Sequence, residues 1–247
     1  MDSEYSHQYA ELYRSHWWWR ARETLILGRL RKLVPEEGWN RVLDVGCGDG
    51  LTLGKLAEFA KSVEGLEVDP TIVSPATSQR FRIHTGMLDD HFDPAGRFDL
   101  ITMLDVLEHI QDPVAALQRC REILAPGGML LITVPAFRSL WTNHDELNHH
   151  FTRYTRRTLS EVLRQSGLTC LESAYFFHWL VPPKFAVRTY ERLFNARPSQ
   201  TGVPASAVNR GLELLSILEQ RTITRLRVIP GTSLLALAGP IEDRTRS

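Results

Sequence analysis

The sequence predicts an α/β fold with an open, mostly parallel sheet, and the stretch VLDVGCGDG at residues 42–50 is the main support for this prediction. Its first residues are apolar and mostly β-branched, as in a strand that is covered on both faces. Three glycines follow, and a helix is predicted over residues 51–59. Further apolar runs alternate with helical segments downstream, which is the order of βαβ units. Glycines allow a tight turn and let backbone N–H groups approach a ligand, so the motif predicts a nucleotide-type site.

Length and composition narrow the class of protein. The chain has 247 residues, which favours one domain with an elaborated end. Its 29 basic and 29 acidic residues balance, so the total charge gives no electrostatic argument for a nucleic-acid partner or an anionic membrane surface. No apolar run approaches the roughly 18 residues of a transmembrane helix, and we recognise no signal peptide. Cys47, Cys120 and Cys170 are widely spaced without a metal-ligand pattern, so we expect a cytoplasmic protein.

The N-terminal part is predicted to be helical over residues 5–15 and 20–33, ending before Pro35. Between the two helices lie Trp17, Trp18 and Trp19, of which at most two can face one side of a helix. Two interpretations remain open. The indoles form a flap that seals one edge of the sheet, or one of them, Trp18, is a wall of the substrate pocket.

The second predicted strand covers residues 62–68 and ends with an acidic residue, Glu67, about 20 residues after the glycine turn. A carboxylate at this position can bind both ribose hydroxyls of an adenosine cofactor, because ligands of open α/β sheets bind at the carboxyl ends of the strands. Asp69 could substitute for Glu67. We therefore expect the ribose at the end of this strand.

The remaining elements follow in order. Residues 71–80 form a helix that Pro75 shortens or breaks, and a helix at residues 113–124 begins with Pro113 after the cap Asp112. Thr155 caps a helix at residues 157–165 that Gly167 ends. The other predicted strands are residues 82–84, 98–104, 129–134, 170–175 and 233–238.

Two helices, residues 184–194 and 207–226, are predicted between the last two strands, with a linker at residues 197–205. In the second helix Val208, Leu212, Leu215, Leu218 and Thr222 share one face. This helical insert is expected to form a lid over the acceptor pocket. A dimer contact or a lipid-surface contact is the alternative, since arginines 221, 225 and 227 flank the apolar face.

In their order and spacing, several segments resemble those of the class I S-adenosylmethionine-dependent methyltransferases: LDVGCGDG, GLEVD, FDLITMLDVLEH, QDP and LAPGGMLLITVP. A later stretch resembles the methyltransferase-domain subfamily in which an HD....H..RY block follows the fifth strand. The resemblance covers about residues 40 to 175. It implies a Rossmann-like, seven-stranded, doubly wound sheet with an antiparallel last strand.

The resemblance also implies binding roles for S-adenosylmethionine. The methionine part would lie over the glycine turn, the ribose on Glu67, and the adenine beside Met87 and Leu88. Many relatives have Asp at the Met87 position, and Asp89 could supply that contact instead. The expected cofactor-binding set is Asp44, Gly46, Cys47, Gly48, Glu67, Met87, Leu88 and Asp105.

The reacting end is expected where the fourth and fifth strands end. Asp105, Glu108 and His109 are spaced i, i+3 and i+4, which is one helical face if the segment turns there. One interpretation is a strand-to-helix turn with Glu108 capping backbone and His109 packed over the cofactor. The other is a divalent metal site, as in relatives that O-methylate catechol-like rings or terminal RNA ribose. We do not favour it, since no fourth ligand is assured, although His144, Asp145 and His150 are near enough in sequence to supply one.

Polar residues are concentrated after the fifth strand: His144, Asp145, His149, His150, Arg153 and Tyr154. His150 is our choice of general base because it matches the second histidine of the HD....H..RY block in the resemblance, with Asp145 to orient it. His109 and Tyr154 are further catalytic candidates. The alternative is a hydrogen-bonded hinge that orders the loop over the cofactor. The predicted substrate pocket comprises Trp18, Phe137, Trp141, His144, Tyr175 and His178.

The sequence thus predicts one structural domain in four parts: a helical flap (1–36), the cofactor-binding core (37–180), the helical insert (181–230), and the last strand and tail (231–247). We expect methyl transfer from S-adenosylmethionine to an oxygen or nitrogen of a small-molecule acceptor by a monomer or homodimer. Sulfonium cyclisation or lyase chemistry, metal-assisted O-methylation, and a cofactor-binding module without catalysis are the alternatives.

Overall fold

The computed structural model describes residues 11–194, 202–223 and 229–241. Its strands are β1 (Trp39–Val45), β2 (Ala60–Glu67), β3 (Arg82–Thr85), β4 (Phe98–Leu104), β5 (Leu124–Pro135), β6 (Leu168–Phe176) and β7 (Ser233–Pro240). They form a single sheet in the order β3-β2-β1-β4-β5-β7-β6. β1 to β5 pair in parallel, and β7 runs antiparallel to both β5 and β6. The predicted Rossmann-like fold with a reversed last strand is confirmed.

The helices are α1 (Trp17–Leu33), α2 (Leu53–Leu56), α3 (Pro75–Arg80), α4 (Pro113–Ile123), α5 (Asn143–Leu147), α6 (Arg156–Gln165), α7 (Val181–Phe194) and α8 (Ser206–Arg221). Single 3₁₀ turns lie at Pro70–Ile72, Leu107–His109, Arg138–Leu140 and His178–Leu180. The predicted caps are present: the Asp112 carboxylate accepts from the N–H of Ala115 at 3.1 Å, and the Thr155 hydroxyl accepts from the N–H of Thr158 at 3.2 Å.

Two hydrophobic cores lie on the two faces of the sheet. Successive residues of β1 alternate between them: Leu43 and Val45 pack into one core, while Val42 packs into the other. This alternation follows from the period of two in a β-strand. Both faces of β1 are therefore covered, which is why Val42, Leu43 and Val45 are all apolar.

Some boundaries differ from the prediction. The helix expected at residues 51–59 shrinks to α2, because the chain returns early and Trp39 already pairs with Ala60 at the start of β2. Pro75 begins α3, with Ser74 as its cap, and a separate 3₁₀ turn precedes it. β5 starts five residues before the predicted strand, since Leu124 pairs with Phe98. The predictions for residues 1–10, for linker residues 197–201, for residues 224–227 and for the tail from residue 242 lie outside the described residues.

The N-terminal helix packs against the helical insert. The N–H of Trp17 donates to Asn209 Oδ1 at 2.9 Å, and the Gln220 side chain donates to the carbonyl of Ala21 at 2.9 Å. The Trp17 ring lies edge-on to Phe177, with centroids 5.9 Å apart. Parts of the chain nearly 200 residues apart therefore form one packed unit. Across residues 11–194, 202–223 and 229–241, no helix has the length and apolar character that crossing a bilayer requires.

Candidate active site

The glycine turn after β1 has a backbone conformation that requires glycine. Gly46 and Gly48 have φ angles of +68° and +57°, which favour glycine. A Cβ atom on Gly46 would lie 2.6 Å from a methyl group of Val106, so no larger residue fits. The N–H of Gly46 donates to the carbonyl of Leu66 at 2.8 Å. The turn is thereby held between the ends of β2 and β4.

Glu67 is joined to this turn. Its carboxylate is buried and accepts N–H groups from Gly48 at 2.9 Å, from Val68 at 2.9 Å and from Asp69 at 3.1 Å. A carboxylate offers about four acceptor positions, so one remains for a ribose hydroxyl. Asp69 instead binds the N–H and hydroxyl of Thr71 in its own turn. The geometry favours Glu67 over Asp69 as the ribose acid.

Asp44 and Cys47 lie beneath the turn. The Thr102 hydroxyl donates to Asp44 at 2.6 Å. Burial raises the pKa of Asp44 to about 7, although this hydrogen bond opposes the rise. Burial also raises the pKa of the Cys47 thiol well above its usual range. Cys47 is therefore a neutral packing residue here, and Asp44 can exist in either protonation state near neutral pH.

The predicted adenine residues follow β3. Met87 is 67% exposed, whereas Leu88 packs against the core. Asp89 accepts the N–H of His91 at 2.9 Å, so part of its carboxylate is used in the local turn. An exposed Met87 beside a fixed Leu88 offers an apolar edge for a flat ring.

At the end of β4, Asp105 is bound by a residue that the sequence analysis missed. The guanidinium of Arg22, from α1, contacts the Asp105 carboxylate at 2.8 Å and donates to the Thr133 hydroxyl at 3.0 Å. Arg22 is buried and also lies over the Trp18 ring, 5.5 Å from its centroid. The i, i+4 spacing of Trp18 and Arg22 was the available signal. α1 is thus part of the site and not only a flap.

The DVLEH segment differs from the predicted helical face. Asp105 has φ +58°, and the 3₁₀ turn begins only at Leu107, so Asp105 points to Arg22 and away from the predicted group of three. Glu108 and His109 instead meet His150, with possible ligand atoms within 4.8 Å of one another. The predicted set Asp105, Glu108 and His109 is therefore corrected to Glu108, His109 and His150. These three side chains could hold a cation or a polar group of a substrate.

The protonation of this cluster is strongly biased. Burial raises the pKa of Glu108 well above its usual value, and the charge of Asp105 adds to the rise. Loss of hydration lowers the pKa of His109 to about 4, and the neighbouring His150 adds to the fall, although part of the His109 ring is exposed. The surroundings therefore favour the protonated form of Glu108 and the neutral form of His109.

Asp145 organises the polar block after β5. It is fully buried, and its oxygens accept from His150 Nδ1 at 2.8 Å and from Arg153 at 2.7 and 2.9 Å. The N–H of Thr142 donates to it at 2.9 Å. Burial alone would raise the pKa of Asp145, but the hydrogen bonds from His150 and Arg153 outweigh it and keep the pKa well below its usual range. Asp145 therefore stays ionised and orients His150.

Aromatic residues surround this block. Phe137 stacks on Tyr175 with centroids 4.8 Å apart, and the Tyr175 hydroxyl accepts the N–H of Arg156 at 3.0 Å. Among the described residues, the buried Tyr154 hydroxyl has no hydrogen-bond partner, nor does one carboxylate oxygen of Glu108. Burial raises the pKa of Tyr154. Tyr154 is therefore a neutral donor near Glu108.

The other predicted pocket residues lie in different surroundings. Trp141 donates its indole N–H to Glu146 at 3.0 Å. His144 is exposed at the end of α5 nearest Lys184, and partial loss of hydration lowers its pKa to about 4. His178 is buried, and its Nδ1 lies 2.9 Å from the carbonyl of Pro230. Trp18 stacks on Phe177 at 5.6 Å and reaches the site only through Arg22.

Comparison with known families decides the assignment of the chain. Residues 18–173 match the model of a methyltransferase domain. The chain belongs to this methyltransferase family. Over 102 residues it is 33% identical to the ubiquinone biosynthesis O-methyltransferase of Xanthomonas axonopodis pv. citri, covering 38% of this chain and 42% of that protein. It is 27% identical over 171 residues to a probable S-adenosylmethionine-dependent methyltransferase of Mycolicibacterium smegmatis. This alignment covers 68% of this chain and 65% of that protein.

The fold of the methyltransferase family is also found in solved structures. The TehB-like methyltransferase of Corynebacterium glutamicum aligns over 97% of this chain and 100% of its own, with a TM-score of 0.55 and 19% identity. The chain spans less than half the length of the ubiquinone relatives that it matches. The methyltransferase domain as matched ends in β6, so α7, α8 and β7 lie outside it.

Proposed function

We propose that this member of the methyltransferase family transfers the methyl group of S-adenosylmethionine to an oxygen or nitrogen of a small-molecule acceptor. The cofactor would lie along the carboxyl ends of β1 and β2. The glycine turn accommodates its methionine part, and Glu67 keeps an acceptor position for the ribose. The sulfonium methyl would then face the ends of β4 and β5.

The hydrogen bond of 2.8 Å between Asp145 and His150 carries the catalytic part of the proposal. An ionised carboxylate can only accept, so Nδ1 of His150 must carry a proton, and Nε2 is the atom of the neutral ring that can accept one. His150 would take the acceptor proton while the new bond to the methyl carbon forms and the bond from that carbon to sulfur breaks. S-adenosylhomocysteine leaves as the second product, and no external electron donor is needed.

Two features bear on the choice of acceptor. The aromatic pair of Phe137 and Tyr175 lies beside the polar block and suits a flat apolar group. The relatives from Xanthomonas are named for O-methylation, so hydroxyl acceptors are the first to test. Phenols and catechols combine an aromatic ring with an acidic hydroxyl that a histidine base can deprotonate.

Incubation with methyl-labelled S-adenosylmethionine and a panel of hydroxylated and aminated aromatic compounds tests the proposal. Label in an acceptor product is expected. Release of methylthioadenosine without labelled product would instead indicate sulfonium cleavage. Cofactor binding measured by calorimetry, with neither product formed by any member of the panel, would indicate a binding module.

Variants of the two adjacent histidines test the role of the base. His150→Gln keeps a side-chain donor for Asp145 but removes the base, so we expect kcat to fall about 10²-fold or more. His149→Asn is the matched control, because His149 is exposed and has φ +56°, which Asn tolerates. A rise in KM with kcat unchanged in His150→Gln would contradict base catalysis and favour the hinge.

A further inference from the structure

Helix α7 is attached to the protein through its polar face. Lys184 donates to the Thr142 hydroxyl at 3.3 Å, and Glu191 accepts the N–H of Asn143 at 3.0 Å. Arg188 donates to the carbonyls of Arg138 and Ser139. Among its described residues 181–194, none is buried. The usual arrangement of a surface helix, with the apolar side inward, is therefore reversed.

The outward side of α7 is apolar. At about 3.6 residues per turn, five large residues fall within one arc of about 200°. We call this arc the outer face of α7. It consists of Phe185, Val187, Tyr190, Leu193 and Phe194, which are 45%, 48%, 57%, 71% and 66% exposed. An exposed patch of this kind marks a site of interaction with a partner or a lipid surface.

Helix α8 is reversed in the same way. Its buried residues are Asn209, Glu213, Ser216 and Glu219, whereas Val208, Leu214, Leu215 and Leu218 are 44–60% exposed. The Glu219 carboxylate accepts the N–H groups of His178 and Trp179 at 3.0 and 3.2 Å. Both helices of the insert thus use polar contacts to hold the protein together and leave apolar side chains outside.

The charge of the insert indicates an anionic partner. Residues 181–230 contain eight basic and three acidic residues, which gives a formal charge of +5 in a chain whose total is zero. Two of the three acids, Glu213 and Glu219, are buried and face the protein. Among the described residues of the insert, Arg192, Arg210 and Arg221 are exposed, so the described surface of the insert carries more positive than negative charge. This corrects the argument from total charge, because the balance of 29 and 29 hides a separation of charge between the insert and the core.

We propose that the outer face of α7 lies on an anionic membrane surface. The aromatic and leucine side chains of the outer face can enter the boundary between acyl chains and headgroups, while Lys184 and Arg188 on the opposite side hold α7 to the protein. Arg192, beside the outer face, is exposed and would meet lipid phosphates. Lys184 connects α7 through Thr142 to Asp145, so a docked protein holds the candidate active site close to the headgroups.

Sedimentation with vesicles tests this proposal independently of methyl transfer. Vesicles of phosphatidylcholine alone are compared with vesicles of phosphatidylcholine and phosphatidylglycerol in equal parts. We expect the full chain to bind the mixed vesicles and to bind pure phosphatidylcholine more weakly. Arg192→Gln should reduce binding to the mixed vesicles about fivefold, which is the typical contribution of one basic residue to binding at an anionic membrane surface. Equal binding to both vesicle types, or to neither, would overturn the proposal.

Serine substitutions on the outer face of α7 and away from it test which surface binds the vesicles. Leu193→Ser combined with Phe194→Ser should reduce binding about tenfold or more, because both side chains would enter the acyl boundary. Leu171→Ser on β6 is the control, since Leu171 is 58% exposed but lies away from α7. An equal loss in Leu171→Ser would overturn the assignment. A wild-type dimer in light scattering that Leu193→Ser and Phe194→Ser dissociate would show that a second copy covers this face instead.

Discussion

Replacing Asp145 by Asn tests whether the polar block depends on a buried charge. The substitution keeps the shape of the side chain and removes its negative charge. Arg153 is itself buried and forms an ion pair with Asp145, so its guanidinium would lose the charge that compensates it. The new amide NH₂ would also face a donor, because both carboxylate oxygens accept hydrogen bonds from Arg153.

The expected loss of folding stability in Asp145→Asn follows from these contacts. Removing one partner of a buried ion pair typically costs about 3–5 kcal/mol, because the remaining charge stays desolvated. For a protein of this size each kcal/mol lowers Tm by about 2–4 °C, so Asp145→Asn should lower Tm by roughly 6–20 °C. The double variant Asp145→Asn with Arg153→Met should recover part of this loss, since it removes the uncompensated cation.

Thermal unfolding followed by circular dichroism measures both variants. Asp112→Asn is the matched control: Asp112 caps α4 on the surface, and Asn is an equally good cap. Its Tm should change little. A loss below about 1 kcal/mol in Asp145→Asn, or a double variant no more stable than the single one, would refute the assignment of a buried, charge-dependent block.

Three further predictions concern the cofactor, the metal question and pH. Glu67→Ala should weaken S-adenosylmethionine binding by about 1–3 kcal/mol in calorimetry, as for a lost hydrogen bond to a charged group, and unchanged affinity would exclude Glu67 from the ribose site. Methyl transfer should continue in EDTA, because the proposed step needs only His150 as the base; activity lost in EDTA and restored by Mg²⁺ would instead put a cation on Glu108 and its histidine neighbours. His109, with its pKa lowered to about 4, contributes stability that is lost as pH falls from 6.5 towards 4. The Tm of His109→Gln minus the Tm of the wild type should therefore be larger at pH 5 than at pH 7. A difference that does not change with pH would contradict the lowered pKa of His109.

The elements that could be predicted are those with local signals. The strand and glycine turn at residues 42–50 follow from a run of apolar residues and from φ angles that favour glycine. The position of Glu67 follows from its place at the end of β2. The pairing of Asp145 with His150 spans only five residues and was proposed from the resemblance to the HD....H..RY block. Each of these depends on residues close in sequence, so pattern alone is informative.

The features that could not be predicted depend on contacts between distant residues. The periodicity of α7 indicates an amphipathic helix, and an apolar face normally packs inward. Its polar face instead meets the loop at residues 138–143, about 50 residues earlier in the chain. The composition of DVLEH suggested one helical face, but the positive φ of Asp105 turns that side chain towards α1. Only the tertiary arrangement determines such directions.

Arg22 shows why α1 affects the chemistry proposed at the end of β4. Glu108 is buried beside Asp105, and its pKa is raised by burial and by the negative charge of that neighbour. The Arg22 guanidinium lies 2.8 Å from Asp105 and opposes this effect. Displacement of α1 would leave Asp105 unpaired, which would favour the protonated form of Glu108 more strongly. The protonation of the reacting end therefore depends on a helix that precedes the sheet in sequence, and α1 is held in place by α8.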